Sequence, residues 1–356
     1  MTQFRIFKQV PRILFGVGAF DRVAELLPER KSGDDYYVFV IDDALKTQGL
    51  EGRIRAVTGD LVEWFPATLN EPSTSQVDAL TAKVRSLKNG SEPLAVIGIG
   101  GGSTMDVAKA LSVMLRNEGS SSQYQGWDLV PHAGVYKLGI PTVAGSGAEA
   151  SRTAVLMGKD RKFGINSDYS MFDAIILDSS LIRTVPPDQR FFSGMDCYIH
   201  CVESLQGTMI NELARGNASK ALELCDQVFL GNGTDDMLVT ASYMGGVSIV
   251  NSEVGVCHAL SYGLSLELGF RHGLANCVVF GALDEYYGPW VERFRTMLAR
   301  HSIVLPSNVC QSLDDAAMER MVDMTLRMER PLTNALGDGW KDLFPREKIV
   351  ALYRRM

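Results

Sequence analysis

The stretch Ser193-Gly-Met-Asp-Cys-Tyr-Ile-His-Cys-Val-Glu203 sets a carboxylate, Asp196, four residues ahead of an imidazole, His200. On a helix that spacing puts both side chains on one face, one turn apart. A hard oxygen and a borderline nitrogen so placed can grip a divalent cation. Alone, such a pair is more often an ordinary surface or capping arrangement, so the metal reading needs further ligands.

Two more histidines have suitable surroundings. His258 lies in Asn251-Ser-Glu-Val-Gly-Val-Cys-His-Ala-Leu-Ser-Tyr-Gly-Leu-Ser265, an otherwise small and apolar stretch, and His272 precedes an expected helix start in Phe270-Arg-His-Gly-Leu-Ala-Asn276. The remaining histidines, His132 and His301, fall in polar loop or helix-end contexts. Each histidine singly reads as an ordinary core or surface residue, but three near one carboxylate make a coherent four-ligand set. Cys197, Cys201 and Cys257 adjoin these residues and leave a thiolate ligand open. The six cysteines contain no Cys-x2-Cys pair and otherwise read as reduced, buried residues.

A second chemical signal is Leu94-Ala-Val-Ile-Gly-Ile-Gly-Gly-Gly-Ser-Thr-Met-Asp-Val-Ala-Lys-Ala-Leu111. It reads as a buried strand, a glycine run and a helix beginning near Ser103 or Thr104. Glycines let a diphosphate approach the backbone, and the first N–H groups of a helix favour its charge. The run is neither a Walker loop nor a strict dinucleotide fingerprint, since Ser103 stands where the third fingerprint glycine would be. Asp42 closes the apolar run Tyr36-Tyr-Val-Phe-Val-Ile41. A carboxylate there can accept from an adenosine ribose and repel a 2′-phosphate, favouring NAD over NADP; a solvated loop aspartate is the other reading.

The elements that must position these residues alternate through the first half. Strands are expected at 12–15, 36–41, 61–65, 94–100, 136–143 and 173–178, with helices at 19–27, 76–87 and after the glycine run. That alternation predicts a doubly wound α/β layer. Beyond Val185-Pro-Pro187 strand-like runs vanish, and helices are expected at about 188–206, 211–230, 234–252, 273–286, 288–301 and 313–329. The chain therefore divides into an α/β domain, 1–183, and an all-helical domain, 184–356.

A formal charge of −7 without basic blocks argues against nucleic acid. With 46% hydrophobic and 22% charged residues the chain has the composition of a globular protein. No apolar leader is present and no segment holds about 18 uncharged apolar residues in a row, so a cytoplasmic protein without membrane contact is expected.

Gly100-Gly-Gly-Ser-Thr-Met-Asp106, Pro141-Thr-Val-Ala-Gly-Ser-Gly-Ala-Glu149, Gly194-Met-Asp-Cys-Tyr-Ile-His200 with Glu203, and His258 with His272-Gly273 carry a resemblance that runs nearly end to end. The chain resembles the iron-containing (group III, metal-dependent) alcohol dehydrogenases, relatives of glycerol dehydrogenase and dehydroquinate synthase. The resemblance implies a Rossmann-like parallel-sheet domain, an all-α domain, and a metal cleft between them. It implies iron(II) or zinc on Asp196, His200, His258 and His272. It places the pyrophosphate of NAD, with NADP left open, at Gly101, Gly102 and Ser103, and further cofactor contacts at Asp42, Asp106, Thr142, Ser146 and Lys162. A homodimer is likewise implied. Many members have a histidine four residues after the third ligand; here that position is Tyr262, a poor neutral-pH base but a good hydrogen-bonding group, which leaves solvent, the cofactor ribose or a Tyr262-linked chain to carry the proton.

Within the family the chain looks most similar to the 3-deoxy-manno-octulosonate (Kdo) 8-oxidase type, on Glu71-Pro-Ser-Thr74, Tyr124-Gln-Gly-Trp-Asp128, Glu149-Ala-Ser-Arg-Thr153 and Asn166-Ser-Asp-Tyr169. That likeness implies oxidation of the Kdo C8 alcohol to an aldehyde that a partner aminotransferase converts to an 8-amino sugar of lipopolysaccharide. Arg152 and Arg271 are then candidates for binding the sugar carboxylate, each being otherwise an ordinary ion-pair residue. A simple alcohol, diol or other polyol is the alternative substrate.

Overall fold

The structure is a computed structural model that describes residues 6–50, 52–54, 61–65, 71–159 and 162–356. It divides into two compact units. One comprises Gln9–Val143 with Ala148–Thr184; the other comprises Val185–Met356 with Ala144–Gly147 and residues 6–8.

Among the described residues the strands, all in the first unit, are β1 (Ile13–Phe15), β2 (Tyr37–Asp42), β3 (Leu61–Phe65), β4 (Ala95–Gly100), β5 (Gly126–Trp127), β6 (Lys137–Pro141), β7 (Thr153–Met157), β8 (Lys162–Asn166) and β9 (Ala174–Leu177). Six of them form one sheet in the order β1-β9-β6-β4-β2-β3, parallel throughout. The chain leaves β2 for β3 on one side and returns to β4 on the other, so the winding reverses between β2 and β4. The central strands are apolar on both faces because both are covered. Tyr37, Phe39, Ile41, Ala95, Ile97 and Ile99 join a cluster with Phe20 and Val23 from a 3-10 helix, Ala19–Glu25.

On the opposite face α2 (Gly102–Leu115) packs against β4 and β6, and α1 (Thr74–Arg85) packs against α2. A capping box between Ser73 and Gln76 starts α1 two residues ahead of the expected position. Gly98 explains how close α2 comes to the sheet: a Cβ there would lie 2.7 Å from Cβ of Ala108.

Strands β5, β8 and β7 form a separate three-stranded sheet that the sequence reading does not foresee. β7 and β8 pair antiparallel from Thr153↔Asn166 to Met157↔Lys162. Ala154, Leu156 and Ile165 of this sheet pack with Val77 of α1 and Ala110, Val113 and Met114 of α2.

The described part of the second unit is helical: α3 (Pro187–Gln206), α4 (Glu212–Phe229), α5 (Asp235–Val250), α6 (Val256–Leu268), α7 (His272–Phe280), α8 (Asp284–Arg300), α9 (Asp315–Leu326), α10 (Glu329–Leu336), α11 (Trp340–Leu343) and α12 (Arg346–Arg354). α3 packs against α4, α5 and α7, and α6 against α7 and α9. Two expectations are corrected. The helix expected over 273–286 stops at Phe280 and the next starts at Asp284, while non-helical backbone at Gly288 (φ 32°), followed by Pro289, interrupts α8 near the expected boundary at 287. α6, rich in Gly and Ser, is a helix that periodicity did not predict. No helix among the described residues is long and apolar enough to cross a membrane.

The seating of α2 is testable. Gly98→Ala should lower unfolding free energy in urea by about 1–3 kcal/mol through overpacking. Adding Ala108→Gly should recover part of that loss once the cost of about 1 kcal/mol for a helix glycine is subtracted. Additive losses would rule out the contact.

Candidate metal centre and nucleotide crevice

The metal candidates come from three helices. α3 carries Asp196 and His200, 2% and 4% exposed, one turn apart as the spacing requires. His258 lies in the first turn of α6, and His272 is the first residue of α7. The four side chains offer donor atoms that all lie within 4.8 Å of one another.

The geometry is that of ligands around a shared centre. Oδ1 of Asp196 is 3.6 Å from Nε2 of His200, 3.4 Å from Nε2 of His258 and 3.6 Å from Nε2 of His272. Those separations exceed ordinary hydrogen bonds. They match the edge of a tetrahedron whose centre is about 2.0–2.2 Å from N and O donors. The donor set therefore fits a divalent metal. Asn276, one turn beyond His272, covers the group: its Nδ2 is 2.7 Å from Oδ1 of Asp196 and 3.1 and 3.2 Å from Nε2 of His258 and His272.

Electrostatics act differently on the ligands. Burial would raise the Asp196 carboxyl, but the surrounding imidazoles hold it well below the usual carboxylate range. Burial brings His200 down to about 4, leaving it neutral. Burial would also lower His258, yet the charges of Glu203 and Asp196 and the hydrogen bond to Glu203 push it up to about 10, so a metal must displace a proton there. The thiols stand outside the group. Cys197 faces Cys225 (Sγ–Sγ 3.8 Å) and the Ala241 carbonyl, and Cys257 donates to the Asn276 carbonyl; all six cysteines are free and buried. Tyr262 follows His258 by one turn, its ring centroid 5.9 Å from that of His272.

In the first unit, the reversal of winding puts a crevice at the carboxyl ends of β2 and β4, where doubly wound sheets bind ligands. Asp42 ends β2, its Oδ1 accepting from the Ala44 N–H at 3.0 Å. Gly100 ends β4; a Cβ there would come within 2.6 Å of Oγ1 of Thr104 and 2.9 Å of Cβ of Asp42. α2 starts at Gly102 with Gly101 as its N-cap and no side-chain cap, which leaves first-turn N–H groups of Gly102 and Ser103 for an anion. The Thr142 N–H donates to the Gly100 carbonyl at 2.9 Å. Asp42, Gly101, Gly102, Ser103 and Thr142 thus lie at one edge of the sheet.

The other expected cofactor residues sit differently. Asp106 accepts from Lys109 at 3.1 Å and from the Val155 N–H at 3.0 Å, tying α2 to β7. Lys162 pairs with Glu71 at 2.9 Å. Ser146 lies on the Ala144–Gly147 loop, which belongs to the helical unit. The Gly145 N–H of that loop donates to Oγ of Ser242 at 2.8 Å, and a Cβ at Gly147 (φ +63°) would lie 2.4 Å from Cα of Gly246.

The two substrate candidates have different surroundings. Arg152 is held between Asp128 and Asp168, so its charge is already met by two carboxylates. Arg271 is the N-cap of α7 and donates to Gln189 at 3.3 Å. The residues that sequence reasoning left without a role are Glu203, Asn276 and Tyr287. A signal existed for two of them: Asp196, His200 and Glu203 fall at i, i+4 and i+7 of one helix, and Asn276 follows His272 by four.

Residues 11–179 match the family model described as iron-containing alcohol dehydrogenase, and residues 191–335 match the C-terminal model of the same family. The chain is 31% identical over 341 residues to a sulfoacetaldehyde reductase of Bilophila wadsworthia, covering 92% of this chain and 84% of that one. It is 27% identical over 349 residues to a 4-hydroxybutyrate dehydrogenase of Cupriavidus necator, with 90% of each covered. Among solved structures, an iron-containing alcohol dehydrogenase of Thermotoga maritima superposes with a TM-score of 0.81 over 99% of both chains at 22% identity, a likeness of fold. The chain belongs to the iron-containing alcohol dehydrogenase family.

Proposed function

We propose that this protein is a metal-dependent, NAD-linked dehydrogenase that interconverts a short alcohol and its aldehyde. The observation that carries the reading is the convergence of three imidazole Nε2 atoms on one buried carboxylate oxygen. A divalent metal held by Asp196, His200, His258 and His272 supplies Lewis-acid polarisation of the substrate oxygen, and nicotinamide supplies the hydride acceptor.

The remaining work falls to the chain. Gly101, Gly102 and Ser103 offer backbone N–H groups to the diphosphate, and Asp42 offers a carboxylate to the adenosine ribose. Tyr262, in place of the family's second histidine, relays the proton by hydrogen bonding instead of acting as a neutral-pH base.

On the substrate, a simple alcohol or aldehyde is better supported than Kdo. Two relatives are named for short substrates ending in an acid group, sulfoacetaldehyde and 4-hydroxybutyrate, and Arg271, beside His272, is the cation that would meet such a group. The Kdo reading rests on local residue matches, and Arg152, one of its two carboxylate-binding candidates, is engaged by Asp128 and Asp168. The aminotransferase partner stands or falls with that reading.

A panel of short aldehydes with NADH, run beside anaerobic Kdo with NAD, tests the reading directly. Turnover of a short aldehyde should exceed that of Kdo, and the reverse order would restore the sugar-acid reading. Asp42→Ala should raise the use of NADP relative to NAD about tenfold, the equivalent of roughly 1.4 kcal/mol of lost repulsion; an unchanged ratio would remove Asp42 from the ribose site. Asp196→Ala and His272→Ala should purify folded, lose the stoichiometric metal seen by elemental analysis, and lose activity by roughly a hundredfold or more. Retained metal in either would dismiss the four-ligand assignment.

A further inference from the structure

Glu203 is 1% exposed and stands on α3 beyond His200, on the face that carries Asp196. Its Oε2 lies 2.5 Å from Nδ1 of His258. Its Oε1 accepts from the Cys257 N–H at 2.6 Å, the Tyr287 hydroxyl at 3.0 Å and, at longer range, the His258 N–H at 3.4 Å. Tyr287 in turn accepts from the Val256 N–H at 3.1 Å.

One carboxylate thus does two things. It caps the first turn of α6, whose N-cap residue, Gly255, has no side chain with which to do so. It also holds the His258 ring. Gly255 makes room for both contacts, since a Cβ there would lie 2.9 Å from the Tyr287 oxygen and 3.1 Å from Oε1 of Glu203.

A carboxylate oxygen at hydrogen-bond distance requires a proton on Nδ1 of His258, so in the neutral ring that a metal needs the lone pair is on Nε2, facing Asp196. His200 is not fixed this way: its buried Nδ1 has no partner among the described residues.

We propose that Glu203, braced by Tyr287, is a positioning residue of the metal centre that selects the metal-binding tautomer of His258 and aims its Nε2. The proposal rests on the four-ligand reading above. Glu203→Gln keeps the size and the acceptor for the α6 N–H groups, but it turns an amide donor toward Nδ1 and favours the proton on Nε2. Acidic partners of metal-bound histidines typically contribute 10–100-fold to metal affinity.

The test is competition between each protein and a chromophoric chelator for zinc alone, with the visible spectrum of the cobalt(II)-substituted protein as a second readout. Glu203→Gln should bind zinc about 10–100-fold more weakly and shift the cobalt bands, and Tyr287→Phe should weaken zinc binding by a smaller factor. A folded Glu203→Gln with the parent's affinity and spectrum overturns the positioning role while leaving the four-ligand site intact. Should Glu203→Gln fail to fold, Tyr287→Phe decides: parent-like affinity and spectrum overturn the role, and weakened binding supports it. A parent protein that takes up no zinc or cobalt overturns the metal reading itself, and this inference with it.

Discussion

Asp196 is a carboxylate 2% exposed on a largely buried helix. An uncompensated charge in such a place costs several kcal/mol, so what surrounds it is dictated by what can answer it. Three imidazoles and the Asn276 amide do so, and each comes from a helix that begins or passes within a few ångströms of the same oxygen. The ends of α6 and α7 are consequently placed by electrostatics as much as by apolar packing. A helix start there that slid by a residue would withdraw a nitrogen from Asp196 as well as disturb buried apolar residues.

Much of this was legible in the sequence, for identifiable reasons. Spacing of three and four residues survives as a one-dimensional signal when the partners share a helix, as Asp196 and His200 do. The glycine run was legible because few other elements tolerate backbone so bare. The parallel sheet announced itself through strands apolar on both faces.

What escaped notice depends on partners distant in sequence. Glu203 meets His258 across 55 positions, and Arg152 meets Asp128 across 24; no local pattern distinguishes the engaged guanidinium from an available one. α6 went unread because glycine and serine lower its intrinsic helicity, and the structure supplies from outside the cap that its own sequence lacks. The β7–β8 pair was missed because its strands have five residues each and one contains Gly164, too little for periodicity to register.

Gly98 has a wider consequence. With no side chain at Gly98, the approach of α2 to β4 at that point is set by covalent backbone and one methyl group, neither of which can change rotamer. The N-terminal end of α2 is therefore held close to the sheet. A diphosphate arriving there would find its N–H groups already aligned, and little of its binding free energy would go into arranging them. Rigidity of this kind is invisible in a list of ligand contacts, because Gly98 faces Ala108, well inside α2.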